Sequence, residues 1–201
     1  MAGQSSGEIS FDDPVYDLRT NTESTLKLIN FGLENGCGKF IYASSMSVYG
    51  DTPDEPITEK YPCKPLSFYA VGKLASEHYL RLYEKDYGIK TTSLRLFNVY
   101  GPGQNLFNLR QGMVSIFLAQ LIEQNSIHVK GSGDRFRDFI YISDVVDILF
   151  KSLQKKSSIG EIFNICSGNP TNIKDLINLI RLKVKDGKPQ FGLINLRKDE
   201  E

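Results

Sequence analysis

Apolar residues recur at helical spacing after Asp12-Asp13-Pro14, at Leu18, Leu26, Leu28, Ile29 and Leu33. An acidic cap with proline in the first turn starts such a helix, and Gly36 ends it. The pattern predicts a helix over residues 14–36. Lys39-Phe40-Ile41-Tyr42-Ala43-Ser44 is a short apolar run ending in small polar residues. It predicts a buried strand whose end opens onto a site. Residues 51–66 hold four prolines and read as a loop. Helical spacing returns from Ser67 to Tyr87 and stops at Gly88, and Lys90 to Phe97 predicts a second strand.

Gly101-Pro102-Gly103 then breaks the chain. Beyond it the pattern predicts a helix over Met113–Gln124, a strand over Ser126–Lys130 and another over Phe139–Ile142. A helix opens at Ser143-Asp144, a strand covers Glu161–Ile165, and a helix covers Asn172–Val184, capped by Thr171 or Asn172. Long helices alternating with short apolar strands argue for an α/β fold with a largely parallel sheet. The units are regular up to about residue 100 and irregular after it, so a boundary is expected near Gly101-Pro102-Gly103.

Charge narrows the list of partners. The formal net charge is +0, so nothing basic points to nucleic acid. No apolar run approaches the ~20 residues of a membrane span, so no membrane partner is expected. Cys37, Cys63 and Cys166 lie far apart, with only His78 and His128 to join them, which argues against a metal site. Three free thiols and a start without signal-peptide features suit a cytoplasmic protein.

The sharpest chemical signal is Tyr69-Ala70-Val71-Gly72-Lys73. Residues four apart share a helix face. An ammonium beside a phenol favours the phenolate, and a helix amino terminus adds partial positive charge. Such a tyrosine can exchange a proton with a substrate hydroxyl. Taken alone, the spacing also fits an exposed pair on an amphipathic helix. The second signal is Ala43-Ser44-Ser45-Met46-Ser47-Val48-Tyr49-Gly50 at a strand end, where ligands sit in parallel α/β sheets. A strand followed by a small-residue turn gives the same pattern.

Together FIYASSMSVYG, SFYAVGK, LRLFNVYGPGQ and GSGDRFRDFIYISDVVD resemble the extended short-chain dehydrogenase/reductases that act on nucleotide sugars. The resemblance implies a partial Rossmann-like, doubly wound parallel sheet with a smaller substrate-binding lobe. Residues 1–100 would be the remainder of the NAD-binding domain with the catalytic triad. Residues 101–201 would be mainly the substrate lobe, interleaved with returning Rossmann elements. It implies a catalytic triad of Ser45, Tyr69 and Lys73. Tyr69 would take the proton from the sugar C4 hydroxyl, Ser45 would share that oxygen, and Lys73 would hold the nicotinamide ribose. Ala2, Gly3, Asn21 and Phe97 fall at cofactor-binding positions, with Tyr69 and Lys73. Asn98 and Arg137 fall at substrate-binding positions, with Ser45, and Arg137 suits a nucleotide diphosphate because a guanidinium offers paired donors. Phe97 reads equally as a core aromatic and Asn21 as a polar residue on a helix surface, whereas the flanking match favours the phosphate role of Arg137 over a surface arginine paired with Asp138. Arg135 is a weaker candidate, and His128 reads as an incidental exposed residue.

The family's GxxGxxG turn, which cradles the cofactor pyrophosphate, has no match in this sequence. The chain is therefore expected to be truncated at its amino terminus and, soon after Phe191-Gly192-Leu193, at its carboxyl terminus, and by itself to bind NAD weakly or not at all and to have little activity. NAD is the implied cofactor, with NADP left open. Ser47 stands where related dehydratases carry an acidic residue before Val-Tyr-Gly. An epimerase acting on a UDP-sugar is thus favoured over a dehydratase, with a 4-reductase as an alternative. An inactive partner or regulatory subunit is the reading from another class. The resemblance also implies a homodimer through the two long helices, residues 14–36 and 66–87.

Overall fold

The computed structural model describes residues 3–53, 55–184 and 188–191. In chain order the elements are α1 (Pro14–Leu18), α2 (Ser24–Glu34), β1 (Lys39–Ser45), α3 (Phe68–Tyr87), β2 (Lys90–Leu96), β3 (Asn98–Tyr100) and α4 (Met113–Gln124). There follow β4 (Ser126–Val129), β5 (Phe136–Tyr141), α5 (Ile142–Gln154), β6 (Glu161–Ile165), β7 (Pro170–Asn172), α6 (Ile173–Lys183) and β8 (Lys188–Phe191). The chain divides into two units. The first holds the chain up to Phe97 together with Ser143–Ile165. The second holds Asn98–Ile142 and the chain from Cys166.

The first unit is built on a parallel sheet in the order β1-β2-β6. Register sets Ser44 opposite Arg95 and Ser45 opposite Leu96, at the carboxyl ends of both strands. The helix over the chain's start is not one regular helix. Asp13 caps α1 by accepting from the Tyr16 N–H at 2.9 Å, with Pro14 behind it. A π-helical turn, Arg19–Glu23, then leads into α2. Ile29, Tyr42, Leu80 and Ile89 form a buried cluster that joins α2, β1 and α3. Fully burying one such side chain stabilises by about 1.5–3 kcal/mol.

Beyond β1 a short 3₁₀ turn, Met46–Tyr49, runs into Gly50. Gly50 has φ +70°, and a side chain there would stand 1.9 Å from the Lys64 carbonyl oxygen. Glycine is therefore required for the chain to return on itself, and the Lys64 N–H donates to Tyr49 O at 3.3 Å. At the opposite end of β1, Lys39 Nζ donates to the carbonyls of Ser152 and Lys155 and to Ser158 Oγ. An ammonium suits the exposed carbonyls at the end of α5.

The second unit has a sheet of order β3-β5-β7, in which β3 and β5 are parallel and β5 and β7 antiparallel. A parallel pair, β4 and β8, lies apart from it in pairing. Phe117, Leu121, Ile127, Val129, Ile173 and Ile177 make the core of this unit. Asn172 caps α6 by accepting from the Lys174 N–H at 2.9 Å. The strand expected over 139–142 starts earlier, at Phe136. Among the described residues no helix is long and apolar enough to cross a membrane.

Candidate active site

Ser45 ends β1 and caps the following turn. Its Oγ accepts from the Ser47 N–H at 3.2 Å and from the Ser47 hydroxyl at 2.9 Å. Tyr69 is the second residue of α3, whose cap Ser67 accepts from the Ala70 N–H at 3.1 Å. The Tyr69 side chain is buried and hydrogen-bonds to Ser45. Lys73 follows one turn later. Its Nζ donates to Ala43 O at 3.0 Å and stands 5.5 Å from the Tyr69 ring centroid and 5.0 Å from that of Tyr42. Strand end, turn and helix start thus gather Ser45, Tyr69 and Lys73.

The charge states differ from the sequence expectation. Burial holds the Tyr69 hydroxyl above its ordinary range; the Ser45 hydrogen bond opposes this, and the Asp17 charge adds to it. Lys73 is brought down to about 8 by burial, against the pull of Asp17. In the chain by itself, burial is the larger influence on both the Tyr69 phenol and the Lys73 amine.

Asn21 is not on a helix surface. It lies in the π-helical turn, 3% exposed, and its Nδ2 donates to Gln4 O at 2.8 Å and Asp17 Oδ1 at 3.1 Å. Gly3 packs on it: a side chain there would meet Asn21 Oδ1 at 3.2 Å. Ala2 lies outside the described residues. Phe97 directly follows β2, half-buried, with its N–H on Ile165 O at 3.0 Å.

Asn98 and Arg137 belong to the second unit. Asn98 Nδ2 donates to Asp138 O at 2.8 Å, across the β3–β5 pair. Arg137 is half-buried in β5, and its Nη1 donates to Phe136 O at 2.8 Å. The Asp138 carboxylate accepts from the N–H groups of Ser167 and Gly168 at 2.7 and 2.8 Å. Arg135 clamps its own turn through Ser132 O at 3.0 Å and Lys130 O. His128 is half-buried in β4, not exposed. Among the described residues no group of His, Cys, Asp and Glu could hold a metal ion.

Under the triad lies a buried polar network. Arg95 Nε and Nη2 meet Glu77 Oε1 and Oε2 at 2.9 and 2.6 Å, and Ser44 Oγ donates to Glu77 Oε1 at 2.5 Å. Arg95 Nη1 reaches the Tyr49 hydroxyl at 2.8 Å, which donates to Asn164 Oδ1 at 2.6 Å. Asn164 in turn holds the proline-rich loop, with its Nδ2 on Ile57 O at 3.2 Å.

The profile of the NAD dependent epimerase/dehydratase family matches residues 1–166. The chain belongs to this family. It is 34% identical over 177 residues to UDP-glucose 4-epimerase of Mycolicibacterium smegmatis, covering 88% of this chain and 56% of that protein. It is 40% identical over 152 residues to dTDP-4-dehydro-6-deoxyglucose reductase of Escherichia coli, covering 75% and 47%. The solved UDP-glucose 4-epimerase of Thermotoga maritima with UDP-glucose matches with a TM-score of 0.90 at 32% identity, covering 99% of this chain and 64% of that one. The chain thus spans about half the length of the curated relatives it matches. The fold of this family member is a Rossmann-like α/β fold with a parallel sheet.

Two groups at the candidate site escaped the sequence reading. Asp17 is 1% exposed although an acidic helix residue reads as surface. Its signal was the spacing of four to Asn21, which sets both on one face. Gly72, inside the YxxxK motif, lets the π-helical turn approach: Thr22 Oγ1 donates to Gly72 O at 3.1 Å.

Proposed function

We propose that this chain carries the proton-transfer machinery of a nucleotide-sugar 4-epimerase, acting on a UDP-sugar with NAD. The observation that carries the reading is the Ser45–Tyr69–Lys73 cluster at the carboxyl end of β1. The chain's own residues fit the nicotinamide–ribose end of the cofactor. Lys73 has three N–H donors and Ala43 O takes one, so two remain for ribose hydroxyls. Gly3, Asn21 and Phe97 are read as neighbours of the same ligand.

Bound NAD supplies the hydride acceptor and donor of the reaction. Tyr69 takes the proton of the sugar C4 hydroxyl as the C4–H bond breaks, leaving a 4-keto sugar, and returns a proton once the sugar has turned over. Ser45 shares a hydrogen bond with that oxygen. Lys73 orients the ribose and sets the field around Tyr69. By the same reading Arg137 grips the nucleotide diphosphate, Asn98 binds the diphosphate or the sugar, and residues 101–201 supply most of the substrate lobe.

Ser47 favours epimerisation over dehydration. Its hydroxyl lies 2.9 Å from Ser45 Oγ, where a dehydratase would need a carboxylate for the second proton. A 4-reductase is the second reading, favoured by the 40% identity to the Escherichia coli reductase. The two differ in redox balance: an epimerase consumes no reduced cofactor, while a reductase consumes one per turnover. Apolar residues left exposed on the helices, Val15 on α1, Phe31 on α2 and Val71 and Leu82 on α3, support a homodimer through them.

The deciding experiment incubates the chain with NAD and UDP-glucose and follows UDP-galactose. Conversion that falls at least about 100-fold in Tyr69→Phe supports the reading. Conversion unchanged in Tyr69→Phe overturns the triad. An effect on a partner enzyme that survives Tyr69→Phe would instead mark a non-catalytic subunit.

A further inference from the structure

Tyr69, Lys73 and Glu77 are spaced by four on α3 and therefore share one face. That face is fastened to the end of β1. Lys73 Nζ donates to Ala43 O at 3.0 Å, and Ser44 Oγ donates to Glu77 Oε1 at 2.5 Å. Arg95, opposite Ser44 in the β1–β2 register, closes on the same carboxylate through Nε at 2.9 Å and Nη2 at 2.6 Å. Its remaining arm turns the other way. Nη1 donates to the Tyr49 hydroxyl at 2.8 Å and to Glu59 O at 3.3 Å. Tyr49 closes the 3₁₀ turn that starts directly after Ser45, and its hydroxyl donates in turn to Asn164 Oδ1 at 2.6 Å. Glu77, Arg95 and Tyr49 are all buried, so water does not compete for these contacts.

Stability does not account for the arrangement. Two charges taken out of water lose about as much in hydration as they recover by attraction, and an apolar pair of similar volume is often as stable or more so. What a planar fork of N–H groups adds is geometry: it holds several acceptors at set angles, which an ammonium cannot do. The acceptors here lie on α3 and on the turn after β1, next to the groups of the candidate site.

We propose that Arg95 is a positioning residue of the site: a single guanidinium, gripping Glu77 on α3 and Tyr49 at the end of the turn, holds the helix that carries Tyr69 and Lys73 against the strand end that carries Ser45. The catalytic meaning of this clamp rests on the triad reading above, whereas the clamp itself is a property of the chain alone. The helix arm sets Tyr69 and Lys73 along β1. The turn arm reaches Ser45 through Ser47, whose N–H and hydroxyl both donate to Ser45 Oγ. A misplacement of about 1 Å at a reacting group can cost about 100-fold in rate, so a clamp of this kind bears on turnover without touching the reacting atoms.

Each arm is tested in the intact chain by a readout that does not involve turnover. The Lys73 ammonium stands 5.0 Å from the ring centroid of Tyr42 on β1 and 5.5 Å from that of Tyr69 on its own helix. Nuclear Overhauser cross-peaks run from Lys73 Hε to both rings, assigned through Lys73→Arg and Tyr42→Phe. The Tyr69 peak is the internal reference, because it moves with the helix. With Glu77→Met and Arg95→Met combined, which keep bulk and remove both charges, the Tyr42 peak falls about threefold relative to it. A shift of about 1 Å has that effect, since intensity falls as the sixth power of distance. An unchanged ratio overturns the proposal. Should the double variant fail to fold, Glu77→Gln takes its place under the same criterion.

Tyr49→Phe keeps the ion pair and removes only the arm to the turn. Solvent exchange of the Ser47 N–H should quicken about tenfold relative to that of Ile41 in the middle of β1, the order expected from one lost buried hydrogen bond. Equal change at both amides, or none, overturns the proposal. Where the chain converts UDP-glucose, the double variant lowers kcat with KM unchanged, and a raised KM with kcat kept overturns the positioning role. A chain without conversion leaves both resonance readouts decisive, so failure of the triad reading and failure of the clamp are told apart.

Discussion

Arg95 and Glu77 meet in a two-armed ion pair, with contacts of 2.9 and 2.6 Å and side-chain exposures of 4% and 2%. Removing one partner leaves a buried charge alone, which costs about 3–5 kcal/mol. Glu77→Ala should therefore lower stability by that order. Replacing both residues by methionine should recover most of the loss. Urea unfolding of the single and double variants checks this.

Gly50 carries a different kind of constraint. Its positive φ and the 1.9 Å approach of Lys64 O exclude a side chain. Gly50→Ala should cost about 1–3 kcal/mol in backbone strain, with a further loss from displacing Lys64. Proteolysis within residues 51–64 should quicken, measured by timed digestion and mass spectrometry.

Lys73 makes stability depend on pH with a defined sign. Its folded value, about 8, lies below the ordinary lysine value of 10.5. The penalty for burying the ammonium is fully present below about pH 8 and is relieved as pH rises toward 10.5. Relative to Lys73→Met, the parent should gain stability across that window, by up to about 3 kcal/mol. Denaturant midpoints of both proteins at stepped pH test the slope. A gap independent of pH would contradict the assignment.

The exposed apolar side chains of the helices give a prediction on assembly. Phe31 is 64% and Leu82 52% exposed. Phe31→Glu and Leu82→Glu should each weaken self-association by about tenfold or more. Sedimentation equilibrium over a range of concentrations measures it.

Local signals made much of this legible in the sequence. Ser67 and Gly88 bracket α3 as expected because cap and stop act within one turn of the helix. The Tyr69–Lys73 face followed from helical spacing and the strand end from the apolar run before it, whereas Ser45 was singled out by the family resemblance. The three-residue strands β3 and β7 were not legible. They exist through pairing with β5 across some 30 to 40 residues of chain, and carry no periodicity of their own. The π-helical turn at Arg19–Glu23 has the same hydrophobic pattern as an α-helix, so only its hydrogen bonds distinguish it. The charge balance at Tyr69 escaped for a related reason. Spacing reveals which groups are near, while burial decides which protonation state wins.

The sheet order β1-β2-β6 has a bearing on synthesis. Strand β2 ends at Leu96, and its second neighbour ends at Ile165. At about 5–20 residues per second, ribosomal elongation delays that neighbour by roughly 3–14 s. During this interval the nascent chain presents one edge of β2 without its final partner, while the second unit's first elements are already emerging. A chaperone that shields strand edges would find its substrate in that window.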